Sequence, residues 1–491
     1  MSEKCLFIVR ALAFFLILSF LIVVINYILT PKKYYDEAWS TTSTYKGFYQ
    51  MKKDSVDVLF LGSSHAASGF NPQEIYNHAG IRSYNLGCEQ QSLLVSYYWL
   101  KEALKYQKPK AVILDTYMLF EYNHVEALNT AESCTRMAMD AMRWSPVKYE
   151  AIKAICDHDE LQTFNSYLFK NIRFHTRWTN LTEQDFTFSQ LEDHFELKGF
   201  SALNKKGIGV NPDYQPYADF DTTECEDPDP LMIEYLDQIR KLCDEKQIRL
   251  VLVKTPANVW SIRKHNYTAG YAAEHNIDFI DFNTKEFFDA CGFIFAEDMH
   301  DNGHSNIWGA EKLSVYLSDV LREKYGIGGG EYGEQWADTD AFYRRIRSDC
   351  ELKYITDLDA YIKAIDQERY TVLIGVRNDM TQYVNEDVKA AFSRLGLKLN
   401  AEKYDGYYAA ISDYNTVECA GHELLKYSGS TRDKLQNFSI VSGGYDAGAQ
   451  CSIKIGNTEY AKNWNGFNIV VYSEETRKVL DTAVYNGELR R

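Results

Sequence analysis

Val56-Asp-Val-Leu-Phe-Leu-Gly-Ser-Ser-His65 is the stretch that decides the fold of the N-terminal part of the chain. Val56 to Leu61 is a short, nearly continuous apolar run, the pattern of a strand buried on both faces of a parallel sheet. Gly62 lets the backbone turn sharply. Ser63 and Ser64 then fall at the carboxyl end of the strand, the edge where open parallel sheets bind ligands. A helix is predicted after Asn71-Pro72, because proline favours a first helical position. Taken alone, Gly-Ser-Ser is also an ordinary strand-to-turn sequence.

Working outward, the same signal recurs at Ala111–Leu114, Ile248–Val253 and Asp278–Phe282, with the helical stretch Leu93–Tyr106 among them. Strands alternating with helices predict an α/β class: a flavodoxin-like parallel sheet with helices on both faces. The rhythm lapses between Tyr122 and Asp229. There, helical stretches (Ala131–Met142, Tyr149–Asp157) alternate with aromatic-rich segments such as Phe174-His-Thr-Arg-Trp178. This is read as an insertion over one end of the sheet, either a lid or substrate wall or a packing elaboration.

A second short segment supplies the chemistry. Asp301-Asn-Gly-His-Ser-Asn-Ile-Trp-Gly-Ala-Glu-Lys312 precedes an amphipathic pattern in which Ile307, Ala310, Leu313, Leu317, Val320 and Leu321 recur at helical spacing. His304 therefore sits in the loop before the last helix of this domain. Asp301, three residues earlier, is within reach of the imidazole Nδ1–H. It would fix the tautomer and leave Nε2 free to take a serine proton. A serine needs such a base to act as a nucleophile. His300 and Asp298 stand close by, but no second ligand cluster pairs with them, so no metal is expected. No cofactor is expected either.

The first thirty residues concern location. Ala11 to Thr30 carries no charge, long enough for a membrane-crossing helix. Pro31-Lys-Lys-Tyr-Tyr is a poor cleavage site, which favours an uncleaved anchor over a signal peptide. The chain has 53 Lys plus Arg against 69 Asp plus Glu, a net charge of −16. That balance argues against nucleic acid, which calls for a basic face, and suits a self-repelling soluble ectodomain. The expected location is the cell membrane, single-pass, with the bulk of the chain extracytoplasmic.

The expected organisation is an anchor over 1–33, a stalk over 34–54, and the α/β domain over 55–325 with its insertion at about 122–229. A glycine-rich linker follows over 326–337, then a second domain over 338–491. In the second domain, strands are predicted at Tyr370–Val376, Tyr407–Ile411, Phe438–Val441, Cys451–Ile455 and Phe467–Tyr472, with one helix at Glu386–Leu395. That is a β-rich α+β pattern.

These motifs resemble the SGNH (GDSL-like) hydrolase superfamily over about Val56 to Lys324. The resemblance is strongest to the branch of the teichoic-acid D-alanyl transfer protein and the alginate O-acetylation proteins. It implies Ser64 as nucleophile with Asp301 and His304 completing the triad. It also implies that Gly87, in Tyr84-Asn-Leu-Gly87, donates its amide to an oxyanion hole together with the amide of Ser64. The family's further asparagine donor is replaced here, since the corresponding strand ends Leu114-Asp115-Thr116-Tyr117. Asp115, His65 and Asn258 are candidates for substrate contact. The second domain resembles the ILEI-like module in Tyr370–Asp379 and Ser452–Tyr472. That resemblance implies a carbohydrate-docking role, with Trp464 as the stacking residue, or else a structural or protein-contact role. The expected partners are a cell-surface glycan substrate, a membrane-bound O-acyltransferase and the membrane itself. Two functions follow as expectations: a serine esterase or O-acyltransferase of the cell surface, or an inactive glycan-binding scaffold in an acylation complex.

Overall fold

The computed structural model describes residues 3–31, 41–120, 132–186, 195–216, 222–330, 333–412 and 415–491. The first part of the expected stalk and the start of the expected insertion lie outside the described residues. The chain divides into two compact units, Met1–Tyr343 and Arg344–Arg491. The division falls inside one helix, Glu334–Glu351, and not at the glycine-rich stretch before it.

The first unit carries a five-stranded, all-parallel sheet of β1 (Val58–Leu61), β2 (Ser83–Asn85), β3 (Ala111–Asp115), β4 (Arg249–Lys254) and β5 (Asp278–Asp281). Their order is β2-β1-β3-β4-β5, the flavodoxin-like order. In register, Val58 pairs with Ala111 and Leu61 with Leu114, and Asp115 lies opposite Val253. Successive side chains of a strand alternate between faces, and the two cores follow that rule. Leu59, Leu61, Val112, Leu114, Leu250 and Leu252 pack under the helices Leu93–Ala103 and Pro230–Lys246. Val58, Phe60, Ile113, Val251 and Val253 pack under Pro72–Ala79 and Ile307–Tyr325. Both faces are therefore covered, as continuous apolar strands require. The edge strand β2 has only three residues, all with polar atoms, and lacks the apolar run that reveals the others.

Helix ends follow local chemistry. Asn71 accepts from the amides of Gln73 and Glu74 ahead of Pro72, and Gly80 closes that helix in the left-handed conformation. Asn306 accepts from the amides of Trp308 and Gly309, and Gly326 ends the helix at Tyr325.

Part of the expected stalk is instead core. Thr41–Phe48 is a helix, and Tyr45 and Phe48 are fully buried. Tyr45 stacks on Trp99 with centroids 4.1 Å apart. Two aromatics three residues apart give one apolar helix face, enough to draw this segment onto the sheet domain.

The second unit is β-rich. Its central strand β6 (Tyr370–Arg377) runs antiparallel between β7 (Gly406–Ser412) and β13 (Gly466–Ser473). β13 continues into β14 (Lys478–Tyr485), and β7 into β8 (Asn415–Gly421). β9 (Leu425–Ser430), β10 (Asn437–Gly443), β11 (Gln450–Ile455) and the short β12 (Thr458–Glu459) form an antiparallel group joined to β6 at Arg377–Gly443. β8 and β9 were not predicted from the sequence. Their residues are partly exposed and carry few apolar side chains to betray a buried face.

Candidate active site

The site forms at the carboxyl ends of β1 and β3, where the chain reverses its direction of travel through the sheet. This is the switch point at which such sheets take ligands. Gly62 has φ +135, a conformation reserved in practice for glycine. A β-carbon there would lie 2.8 Å from the Cβ of Asp115. The turn places Ser63 as the cap of a short helix, Ser64–Gly69, with its side chain accepting from the amide of His65. Ser64 is the first residue of that helix, so its own N–H has no intrahelical acceptor.

Ser64 Oγ stands 2.9 Å from Nε2 of His304. Nδ1 of His304 stands 2.9 Å and 3.0 Å from the two carboxylate oxygens of Asp301. Asp301 Oδ1 also accepts from the amides of Gly303 at 2.8 Å and His304 at 2.9 Å. Partial burial pushes the Asp301 carboxyl up, but the His304 ring and these two amides outweigh it and bring it down to about 2. An ionised Asp301 holds the proton on Nδ1, which leaves Nε2 as the acceptor for the Ser64 hydroxyl. The loop bearing these residues is fastened by the His300 amide, which donates to the His304 carbonyl. Nδ2 of Asn306 donates to the carbonyls of Glu297 and Met299.

The closing part of the expected insertion backs this loop. The amides of Gly207 and Ile208 donate to the carbonyls of Met299 and His300. Asn302 donates in turn to the carbonyl of Gly209. These residues act as a buttress behind Asp301 and His304.

The other expected site residues have the following surroundings. The amide of Gly87 donates to Oδ1 of Asn85 at 2.9 Å, and Asn85 is itself anchored through Nδ2 to the carbonyls of Ala66 and Phe70. The Gly87 amide is thus engaged within the chain in this structure. Its lack of a side chain serves close packing, since a β-carbon would lie 2.9 Å from the amide nitrogen of Ala67. Asp115 is buried beneath the site, its oxygens accepting from the amides of Tyr117 and Thr255. Burial pushes its carboxyl up while Lys254 pulls it down. It joins the ends of β3 and β4.

His65 is buried as well. Its Nδ1 stands 3.2 Å from Nζ of Lys254 and 3.4 Å from Oγ1 of Thr255. Its ring stacks on Tyr117 with centroids 3.8 Å apart and lies 5.0 Å from the His304 ring. Burial, then the charges of Lys254 and His304, hold its pKa well below the ordinary value. Asn258 is exposed, and its amide donates to the carbonyl of Asn302. Trp464 belongs to the second unit, where it is 43% exposed. There Nδ2 of Asn468 donates to the Trp464 carbonyl and Oδ1 of Asn463 accepts from Cys451. Those two asparagines shape the turn. A cleft of about 540 Å³ in that unit is lined by Glu402, Asp405 and His422, among others, and not by Trp464.

Tyr117, stacked on His65, and Glu89, near His304, carried no assigned role in the sequence reading. Lys254 is fully buried, yet in the sequence it is only the last residue of an apolar strand. Glu89 lies close enough to His304 for their charges to interact. Partial burial pushes its carboxyl up and His304 pulls it down. Among the described residues, no group of three or more His, Cys, Asp or Glu side chains is placed to hold a metal ion.

No protein-family model matches the chain, and no curated protein matches it. Among solved structures, the chain is similar to a candidate lipolytic protein of the G-D-S-L family from Desulfitobacterium hafniense DCB-2. The identity is 11%, over 54% of this chain and 98% of that one, with a TM-score of 0.27. It is also similar to a GDSL-like lipase from Bacteroides thetaiotaomicron VPI-5482, at 10% identity over 58% and 99% of the two chains and a TM-score of 0.27. A candidate acylhydrolase from Bacteroides fragilis NCTC 9343 gives 10% identity over 59% and 99%, with a TM-score of 0.26.

Proposed function

We propose that the chain is a membrane-anchored, extracytoplasmic serine esterase or O-acyltransferase of SGNH type. The observation that carries this reading is the line from Ser64 Oγ through the His304 ring to the Asp301 carboxylate. Ser64 Oγ attacks the acyl carbonyl carbon while its proton passes to Nε2 of His304. The tetrahedral intermediate collapses as Nε2 returns that proton to the departing alkoxide, leaving an acyl-Ser64 ester. Water or a sugar hydroxyl then gives its proton to Nε2 and attacks the ester carbonyl, and as the acyl C–Oγ bond breaks, Ser64 Oγ takes that proton back from Nε2. Asp301 stabilises the imidazolium in both halves. The Ser64 amide supplies one donor to the oxyanion, worth about 3–4 kcal/mol when preorganised.

The helix Glu3–Leu29 has 27 residues, about 40 Å at ~1.5 Å per residue, which exceeds the ~30 Å hydrocarbon core. Read as an anchor, it holds the site beside a membrane. The resemblance of the sheet domain to the teichoic-acid and alginate branch supports a cell-surface polysaccharide or teichoic acid as substrate. It also supports a membrane-bound O-acyltransferase as partner. The second unit, through its ILEI-like pattern, fits a glycan-docking role.

The occupied Gly87 amide favours one alternative, a catalytically inactive glycan-binding scaffold in an acylation complex. Labelling with a fluorophosphonate separates the two. The enzyme reading expects labelling that disappears in Ser64→Ala and persists in Ser63→Ala. A folded, unlabelled wild-type chain favours the scaffold.

A further inference from the structure

Among the described residues, the sheet domain meets the helix Glu3–Leu29 near its C-terminal end. Side chains up to Val23 are almost all exposed, whereas Val24, Asn26, Ile28, Leu29 and Thr30 are partly covered. The covering elements are Asn171–Phe174, His175–Thr179 and Glu183–Phe186. Arg177 fixes the level of this contact. Its guanidinium donates to the Leu29 carbonyl at 2.6 Å, one of the last carbonyls that a helix leaves unpaired. The same guanidinium pairs with Asp185 at 2.8 Å.

Around this junction the surface is apolar where a soluble surface would be polar. Trp178 is 70% exposed, and Leu168, Phe169, Ile172, Phe186 and Trp144 are each about half exposed. The elements carrying them pack consecutively, from Pro146–His158 through Phe164–Leu168 to Asn171–Thr179 and on to the anchor. One large apolar side chain on a surface is unremarkable, but a continuous group of them marks an interaction site. The Lys and Arg side chains of Phe164–Thr179 are already engaged: Arg173 and Lys170 with Asp140 at 2.8 Å and 3.7 Å, and Arg177 with Asp185. The face therefore offers aromatic and aliphatic area rather than net positive charge.

Aromatic side chains concentrate at the level where a membrane helix leaves the hydrocarbon, because their rings suit the interfacial layer. We infer that the face built by Phe164–Thr179 and Glu183–Phe186 rests in the interfacial layer of the bilayer that Glu3–Leu29 spans, so that the sheet domain lies on the membrane rather than swinging above it. This rests on reading the helix as an anchor. The occupant is lipid because the face is continuous with that helix and is held at its exit. Burial of apolar area drives the contact, so zwitterionic lipid suffices.

The test uses the full chain reconstituted in phosphatidylcholine vesicles, with and without bromine on the upper acyl chain. No tryptophan lies in Glu3–Leu29, so lipid-dependent quenching of tryptophan emission reports on the rest of the chain. The expected result is quenching by brominated lipid that falls in Trp178→Phe, is largely lost once Trp144→Phe is added, and is fully kept in Trp464→Phe. Quenching unchanged by Trp178→Phe overturns the inference. So does a Trp178 emission that is shielded from aqueous iodide but insensitive to brominated lipid, since a protein partner or second copy then covers the face. Flotation separates this from the anchor reading. A chain that fails to float with vesicles removes the anchor and the docking face together, whereas a floating chain with unquenched Trp178 removes only the docking face.

Discussion

Nζ of Lys254 stands 3.2 Å from Nδ1 of His65, and this pair decides which tautomer lies beside the triad. An ammonium only donates, so Nδ1 accepts and the ring proton sits on Nε2. A neutral His65 adds no positive charge next to His304, the ring that becomes imidazolium in the proposed acyl transfer. His65 is expected to stay neutral through pH ~6.5, where an ordinary histidine titrates. The sign for stability follows. The unfolded chain binds this proton more readily, so the contribution of His65 is full above pH ~6.5 and falls as the pH drops below it. In Lys254→Met the largest nearby repulsion is gone, and the titration should move up toward the ordinary value. Imidazole nitrogen shifts in both chains, followed by NMR, check the direction; identical titrations would remove Lys254 from this role.

His304→Ala should lower turnover of an activated acetyl ester by at least about 10³-fold, and Asp301→Asn by about 10²–10⁴-fold, because an amide can hold the wrong tautomer. The Asp301 carboxyl lies at about 2 instead of 3.8. Its stabilising contribution is therefore complete above pH ~3.8 and is lost as the pH falls toward ~2. Urea midpoints measured across that range should fall for the wild type and stay flatter for Asp301→Asn. Near-normal turnover in His304→Ala would mean that another base serves Ser64.

Gly62→Ala should destabilise the sheet domain by about 2–3 kcal/mol, from forced positive φ and contact with Asp115. It should also misplace Ser64, so that labelling by fluorophosphonate slows in the molecules that remain folded. Urea unfolding and labelling rate together check both effects.

The glycine-rich stretch is not where the first unit ends. Beyond it, Trp336 stacks on Tyr76 with centroids 4.3 Å apart. The buried Lys198 ammonium donates to Thr339 at 2.7 Å and lies 4.1 Å over the Trp336 ring. Burial brings its pKa down to about 7. A chain ending at Tyr325 strips these partners away and should melt lower than one ending at Glu351. Equal melting temperatures would show that the helix contributes nothing to the first unit.

The sequence by itself determined the parallel sheet, the position of Ser64 at a strand end, and the Asp301–His304 pair before the last helix. Each is a local signal: an apolar run, a glycine turn, or a three-residue spacing that geometry converts directly into contact. What it left to the tertiary structure was everything decided by residues distant in the chain. Ser64 and His304, 240 positions apart, meet only because strand order brings two loops to one edge. The Gly87 amide found its partner in Asn85, itself oriented by the carbonyls of Ala66 and Phe70. His65, beyond the end of β1, and Lys254, at the end of β4, became neighbours through the register of both strands on β3 between them. Local patterns record which backbone a residue prefers, but the partner that a polar atom finds is set by packing, and packing exists only once the chain has folded.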